Sequence, residues 1–139
     1  MLGNHLGKNY MNDSIADMLI RIKNAGAVGH KSASFPYSKF KMSIADILLK
    51  EGYIDSVDKQ GQKVNKTIEV GISYQDDEPK IANVGRVSKL SRRVYLGAKD
   101  IQPVRRGYGL LVLSTPKGLM TGKEAKKSNI GGEALFKIW

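Results

Sequence analysis

The hydrophobic period changes along this chain, and that change limits the fold more than any other feature. Ile15, Met18, Leu19 and Ile22 recur at the spacing of one helical face, and Phe40, Ile44, Ile47 and Leu48 repeat the pattern. Ile68, Val70, Ile72 and Tyr74 then alternate with Glu69, Gly71 and Ser73, the two-residue period of a half-buried strand. Leu110–Leu113 is apolar throughout, which suits a strand covered on both faces. Both periods within 139 residues call for helices and sheet in the same chain.

The punctuation places the elements. Asp13 or Ser14 is expected to cap the first helix and Gly26 to close it; Asp13 and Asp17 then sit where the helix dipole favours acids, rather than as a catalytic carboxylate pair. His30–Pro36 reads as a strand ended by proline. Ser38 starts a second helix, which Gly52 stops, and Tyr53–Val57 is a strand. The turn-like stretch 59–66 contains Gly61. Further on, Ile81–Val87 is strand-like, Ser88–Tyr95 is a basic turn leading into a short strand, and Lys99–Gly107 is a helical turn ended by glycine. Thr121 and Glu124 have capping-box spacing for a helix running to about Ser128. Asn129–Trp139 is a glycine turn and a final strand. The acidic, proline-containing Gln75–Pro79 is the best candidate boundary, its acids forming a solvated corner rather than a metal site. The expected organisation is a flexible N-terminal extension over 1–10, an N-terminal subdomain over 11–78 and a β-rich subdomain over 79–139.

Charge separates the last two parts. Met1–Glu78 holds ten basic and ten acidic residues, whereas Pro79–Trp139 holds thirteen basic and three acidic. The whole net charge of +10 therefore lies in the second part, which is suited to a polyanion: nucleic acid first, then an anionic membrane or an acidic protein. No cysteine is present, so neither disulfides nor thiolate chemistry enter, in keeping with a reducing compartment. No apolar window reaches the ~18 residues of a membrane span, and the polar, glycine-rich start lacks the apolar centre of a secretion signal.

Leu110–Lys127, LLVLSTPKGLMTGKEAKK, is the stretch that invites a chemical reading. A phosphate loop needs four residues between its glycines and a hydroxyl after the lysine; Gly118 and Gly122 enclose three, and Glu124 follows Lys123. Serine catalysis at Ser114 or Thr115 would need a base, but the two histidines, His5 and His30, stand in no triad pattern, and there is no Gly-x-Ser-x-Gly elbow. Two distant histidines without cysteine make no metal site, and no cofactor is expected. Nor do the two amphipathic helices form a helix-turn-helix, since an extended segment separates them.

Nucleic-acid binding suits the residue types. Ser114 and Thr115 place hydroxyls at a strand end, able to reach base edges and 2′-hydroxyls in a shallow RNA groove. Lys117, Lys123, Lys126 and Lys127 can neutralise phosphates, with the helix begun at Thr121 directing its dipole the same way. Arg92, Arg93, Arg105 and Arg106 offer a second basic rim, and Tyr95 and Tyr108 can stack on a base or pack against the sheet. Two other classes remain open: an enzyme acting on RNA through acids alone, and a basic module for acidic proteins or membrane surfaces.

Six blocks in order narrow this: IADMLIRIKNA (15–25), PYSKFK (36–41), LLKEGYI (48–54), RVSKLSRRVY (86–95), GYGLLVLSTPKGLMTGKEAKK (107–127) and GGEALFKIW (131–139). Together they resemble the bacterial-type small-subunit ribosomal protein S8 family from about Met11 to Trp139. The resemblance implies a two-part α+β fold of two small α/β subdomains, α-β-α-β-β followed by a β-rich half with short helices. It implies a non-enzymatic, cytoplasmic constituent of the small ribosomal subunit that binds a helix in the central domain of 16S-type rRNA and supports platform assembly. Neighbouring small-subunit proteins are the further partners, and in some bacteria a ribosomal-protein messenger RNA; no membrane is involved. The alternative is another RNA-binding or RNA-acting protein using the same basic surface. Carried over by position, Ser114 and Thr115 reach the RNA helix, Glu133 supports their loop, Tyr95 contacts the RNA backbone, and the segment near Lys31 adds a contact from the first half. Pro116 replaces a serine frequent in that loop and has no donor to offer, and Phe136 replaces a frequent cysteine.

Overall fold

The computed structural model describes the backbone of residues 2–61, 64–89, 91–104 and 109–139, with side chains from Ser14 onward. The chain divides into two compact units, one of residues 17–82 and the other of 1–16 with 83–139, so the division falls within the first helix and again after Ala82.

That helix, α1 (Leu2–Ala27), begins eleven residues before the expected cap. The stretch 1–10, expected to be a flexible extension, is thus helical backbone from Leu2, and Asp13 and Ser14 lie inside the helix rather than at its start. No proline precedes Pro36, and Gly3 and Gly7 cost only about 1 kcal/mol each against alanine, so nothing in the sequence stops the helix from propagating backwards.

In the unit of residues 17–82, α1 buries Met18, Leu19, Ile22 and Ala25. β1 (Ser32–Pro36), β2 (Ile54–Gln60) and β3 (Thr67–Ile72) form an antiparallel sheet in the order β1-β3-β2. On the central strand Ile68, Val70 and Ile72 point into the core, as their alternation predicts. Helix α2 (Lys39–Lys50) is capped by Ser38, whose hydroxyl accepts from the Lys41 N–H, and it buries Ile44, Ala45 and Leu48. Phe40 and Ile47, assigned to the same stripe, are only half-buried. The Gln75–Pro79 stretch belongs to a small hairpin of β4 (Tyr74–Gln75) and β5 (Glu78–Pro79). Asp76 and Asp77 turn it with φ of 54° and 65°, the mirror-image turn that matches strand twist.

In the other unit, β10 (Gly132–Ile138) is the organising strand. It pairs antiparallel with β6 (Val84–Arg86), β7 (Tyr95–Leu96) and β8 (Leu110–Thr115), and β8 pairs with β9 (Gly118–Thr121). Leu110–Leu113 is buried throughout, each side chain contributing roughly 1.5–3 kcal/mol. Leu111, Leu113, Ile101, Ala125 and Ala134 make one core cluster, with Val94, Leu96 and Met120 against it. The strand expected over Ile81–Val87 is Val84–Arg86, and reciprocal Asn83–Trp139 hydrogen bonds and a Val87–Leu135 bond prolong its pairing with β10 at either end. Within Lys99–Gly107 a 3-10 turn, Ala98–Asp100, gives way to extended backbone at Ile101, Val104 is again 3-10, and Gly107 lies outside the described residues. Helix α3 (Gly122–Lys127) packs on β8 and β9. Among the described residues no helix is long and apolar enough to cross a membrane.

Candidate nucleic-acid interface

β10 sets the site by lying between β7 and β8. In its register Glu133 stands opposite Tyr95 on one side and Ser114 on the other, and Ser114 in turn faces Leu119 of β9. Directly paired residues share a sheet face, so Tyr95, Glu133, Ser114 and Leu119 form one cross-strand row. At about 4.8 Å per strand, Tyr95 and Ser114 are about 10 Å apart across Glu133. Tyr95 is 71% exposed, and the other three are half-buried. The Arg93 guanidinium donates to the Glu133 carboxylate at 2.9 Å, which fixes the arginine beside the row.

Two glycines make this arrangement possible. A Cβ on Gly131 would strike the Leu96 carbonyl, and one on Gly132 would strike the Ser114 carbonyl. Only glycine lets β10 enter between its neighbours at this point.

The β8–β9 hairpin tip carries Pro116 and Lys117, both exposed, and closes on Gly118 with φ of +104°. Thr115 faces away from the row. It is buried, its hydroxyl donates to the Gly118 carbonyl at 2.7 Å, and it accepts from the Lys117 N–H at 3.1 Å. Thr115 thus shapes the turn, while Ser114 faces outward with Tyr95 and Glu133.

Thr121 is likewise turned inward. Its hydroxyl accepts from the Glu124 N–H, and the Glu124 carboxylate accepts from the Thr121 N–H. The capping box forms as its spacing predicts, so Thr121 and Glu124 satisfy two of the backbone N–H groups at the start of α3. Lys123, Lys126 and Lys127 are exposed along this short helix, and the Lys126 Nζ donates to the Ile101 carbonyl at 3.1 Å. Arg92 is exposed on a tight turn closed by reciprocal hydrogen bonds between Lys89 and Arg92. Lys31 is exposed in the unit of residues 17–82, where its carbonyl accepts from the Ile72 N–H. Arg105, Arg106 and Tyr108 lie outside the described residues.

The pairing of Arg93 with Glu133 spans forty residues of sequence, and spacing alone gives no sign of it. Arg86, Lys89, Lys137 and Trp139 also gather with Arg92 around a cleft that sequence reasoning missed. The cations come from two separate segments, 86–92 and the end of β10, which the β6–β10 pairing brings together.

Fold and site together define a basic α+β protein with an outward row of polar and aromatic groups at one end of a sheet. Among the described residues there is no group of three or more His, Cys, Asp or Glu able to hold a metal. The family described as Ribosomal protein S8 matches residues 13–139, and the chain belongs to that family. A small ribosomal subunit protein uS8 from Mycoplasmopsis agalactiae is 44% identical over 130 residues, covering 94% of this chain and 99% of the relative. The protein of the same name from Dictyoglomus turgidum is 46% identical over 127 residues, 91% of this chain and 97% of its own. That of Ruegeria pomeroyi is 43% identical over 130 residues, 93% and 100%. All three relatives carry the name of a small ribosomal subunit protein.

Proposed function

We propose that this chain is a structural constituent of the small ribosomal subunit and binds a helix in the central domain of its rRNA directly, supporting assembly of the platform. The observation that carries the reading is the row Tyr95–Glu133–Ser114, with Arg93 held on Glu133. An RNA minor groove is wide and shallow and displays 2′-hydroxyls, which suits a flat row of short polar groups beside an aromatic ring. Ser114 reads the groove, the Pro116–Lys117 tip follows the backbone, and Tyr95 packs against ribose or base. Thr115 acts indirectly by holding the tip. Glu133 acts through Arg93, and Thr121 through the placement of α3. Arg92, Lys117, Lys123 and Lys126 neutralise phosphate, and Lys31 adds a contact from the other unit. Neighbouring ribosomal proteins are the further partners.

The test is binding of the full chain to a central-domain rRNA fragment against a random duplex of equal length, at two salt concentrations. If about six phosphates are neutralised, affinity falls about 10³-fold between 50 and 200 mM salt, taking the duplex-DNA slope as a guide. Strong preference for the fragment with that salt dependence is the expected result. Equal affinity for both RNAs leaves a generic basic surface and removes the reading role from Ser114.

A further inference from the structure

Beside the row, and wholly within residues 83–139, lies a cleft of about 370 Å³ lined by Gly85, Arg86, Lys89, Arg92, Lys137 and Trp139, together with Val87 and Val94. Four of its lining side chains are cationic and none is a carboxylate, so the side chains around it favour an anion.

Its walls are built rather than incidental. Arg86 donates from Nη2 to the Ser88 carbonyl at 2.8 Å. Ser88 is fully buried, and its hydroxyl both accepts from the Val94 N–H and donates to the Val94 carbonyl. The reciprocal Lys89–Arg92 hydrogen bonds set those two side chains on one tight turn. Lys137 stands directly across from Gly85 in the β6–β10 ladder. Gly85 has no side chain, and the Trp139 ring carbons Cη2 and Cζ3 lie 3.5 Å from where its Cβ would stand. The result is an indole laid beside bare backbone, with cations around it.

We infer that this cleft receives one unstacked nucleotide of the bound RNA, its base against the Trp139 indole and its phosphate among Lys137, Arg92 and Lys89. Aromatic rings and guanidinium planes are the surfaces on which splayed bases stack, and the volume suits a single nucleotide-sized ligand. An acidic peptide would satisfy the cations but bring nothing planar to the indole. The cleft adjoins the row through consecutive residues, Arg92 lining it and Arg93 pairing with Glu133. The inference rests on the RNA reading proposed above and extends it to a second contact.

Trp139 is the only tryptophan in the sequence, so its emission reports on this cleft. The full chain is titrated with adenosine 5′-monophosphate, with ribose 5-phosphate, with a decaglutamate peptide, and with the labelled central-domain fragment while anisotropy records binding. Adenosine monophosphate and the RNA are expected to quench the indole by more than half, and ribose phosphate is not. Lys137→Gln, an exposed change on β10, shifts both quenching curves several-fold to higher concentration, and Gly85→Val abolishes quenching by filling the slot. RNA bound by anisotropy with the indole emission unchanged overturns the inference. So does decaglutamate acting at lower concentration than adenosine monophosphate, which makes the cleft a site for an acidic protein segment. If the RNA does not bind at all, the reading above fails instead, and quenching by adenosine monophosphate alone decides the cleft.

Discussion

Replacing Thr115 with alanine removes two hydrogen bonds from one turn, the donation to the Gly118 carbonyl and the acceptance from the Lys117 N–H. At about 1 kcal/mol each, Thr115→Ala lowers stability by about 1–2 kcal/mol, and Thr115→Ser restores most of it. Denaturant unfolding reads both changes. The same pair of variants separates shaping from reading: Thr115→Ser keeps the preference for the rRNA fragment, whereas Thr115→Ala loses it along with the tip. Lys41 is a different case, a cation only 7% exposed whose Nζ lies 5.8 Å from the Phe35 ring centroid. Burial pushes its ammonium below the ordinary value of 10.5, Asp17 pulls it back up, and Arg21 adds to the depression. The folded chain therefore releases this proton at lower pH than the unfolded chain. Between the folded and unfolded values the unfolded chain holds more protons, so stability rises with pH across that window. Below it, at neutral pH, the burial penalty is present in full. Lys41→Met thus raises stability at pH 7, by about 1 kcal/mol at most once the cation–ring attraction is subtracted, with a higher melting temperature, and the gain shrinks as pH approaches 10.5. A melting temperature lowered equally at both pH values contradicts this.

Strands and helices hold the row through two small devices, the capping box of α3 and the Gly131–Gly132 entry of β10. Thr121→Ala removes a buried cap at the joint between β9 and α3 and costs about 1–2 kcal/mol. Gly132→Ala forces a methyl onto the Ser114 carbonyl; overpacking of that kind costs about 1–3 kcal/mol, and here it also displaces the row. A loss of rRNA preference larger than the loss of stability, compared by binding and unfolding on the same variant, marks the displacement. The first device was legible in the sequence because a capping box is local, four consecutive residues whose spacing states the geometry. The second was not, since Gly-Gly alone does not say which carbonyl it passes. The orientation of Ser114 and Thr115 was not legible either. Leu110–Leu113 is apolar on both faces, so no alternation marks which of the next two side chains points inward, and the pairings with β9 and β10 decide it. The start of α1 misled for the opposite reason: Asp13 and Ser14 carry a cap signal, but nothing before them breaks a helix.

Across the whole chain, charge and chemistry are distributed differently, and the two can be measured apart. The excess positive charge lies after Glu78 and was legible by counting, because net charge depends on no folded geometry. The cross-strand row and the Trp139 cleft were not, because each joins segments that meet only through β10. Lysines exposed on α3 contribute through the field, which depends on how many phosphates are neutralised and not on which RNA carries them. Ser114 contributes through fit, which is independent of salt. The double variant Lys123→Gln with Lys127→Gln should therefore weaken binding to the rRNA fragment and to the random duplex alike. It should lower the slope of log affinity against log salt by about 1.4–1.8, at about 0.7–0.9 for each phosphate no longer neutralised. Ser114→Ala should leave that slope unchanged and reduce only the ratio between the two RNAs, by about tenfold if one good hydrogen bond is removed. Salt titrations of both variants against both RNAs give four slopes and two ratios. A double variant that changes the ratio would place the lysines in the reading surface, and a Ser114 variant that changes the slope would make the hairpin tip a phosphate clamp instead of a reader.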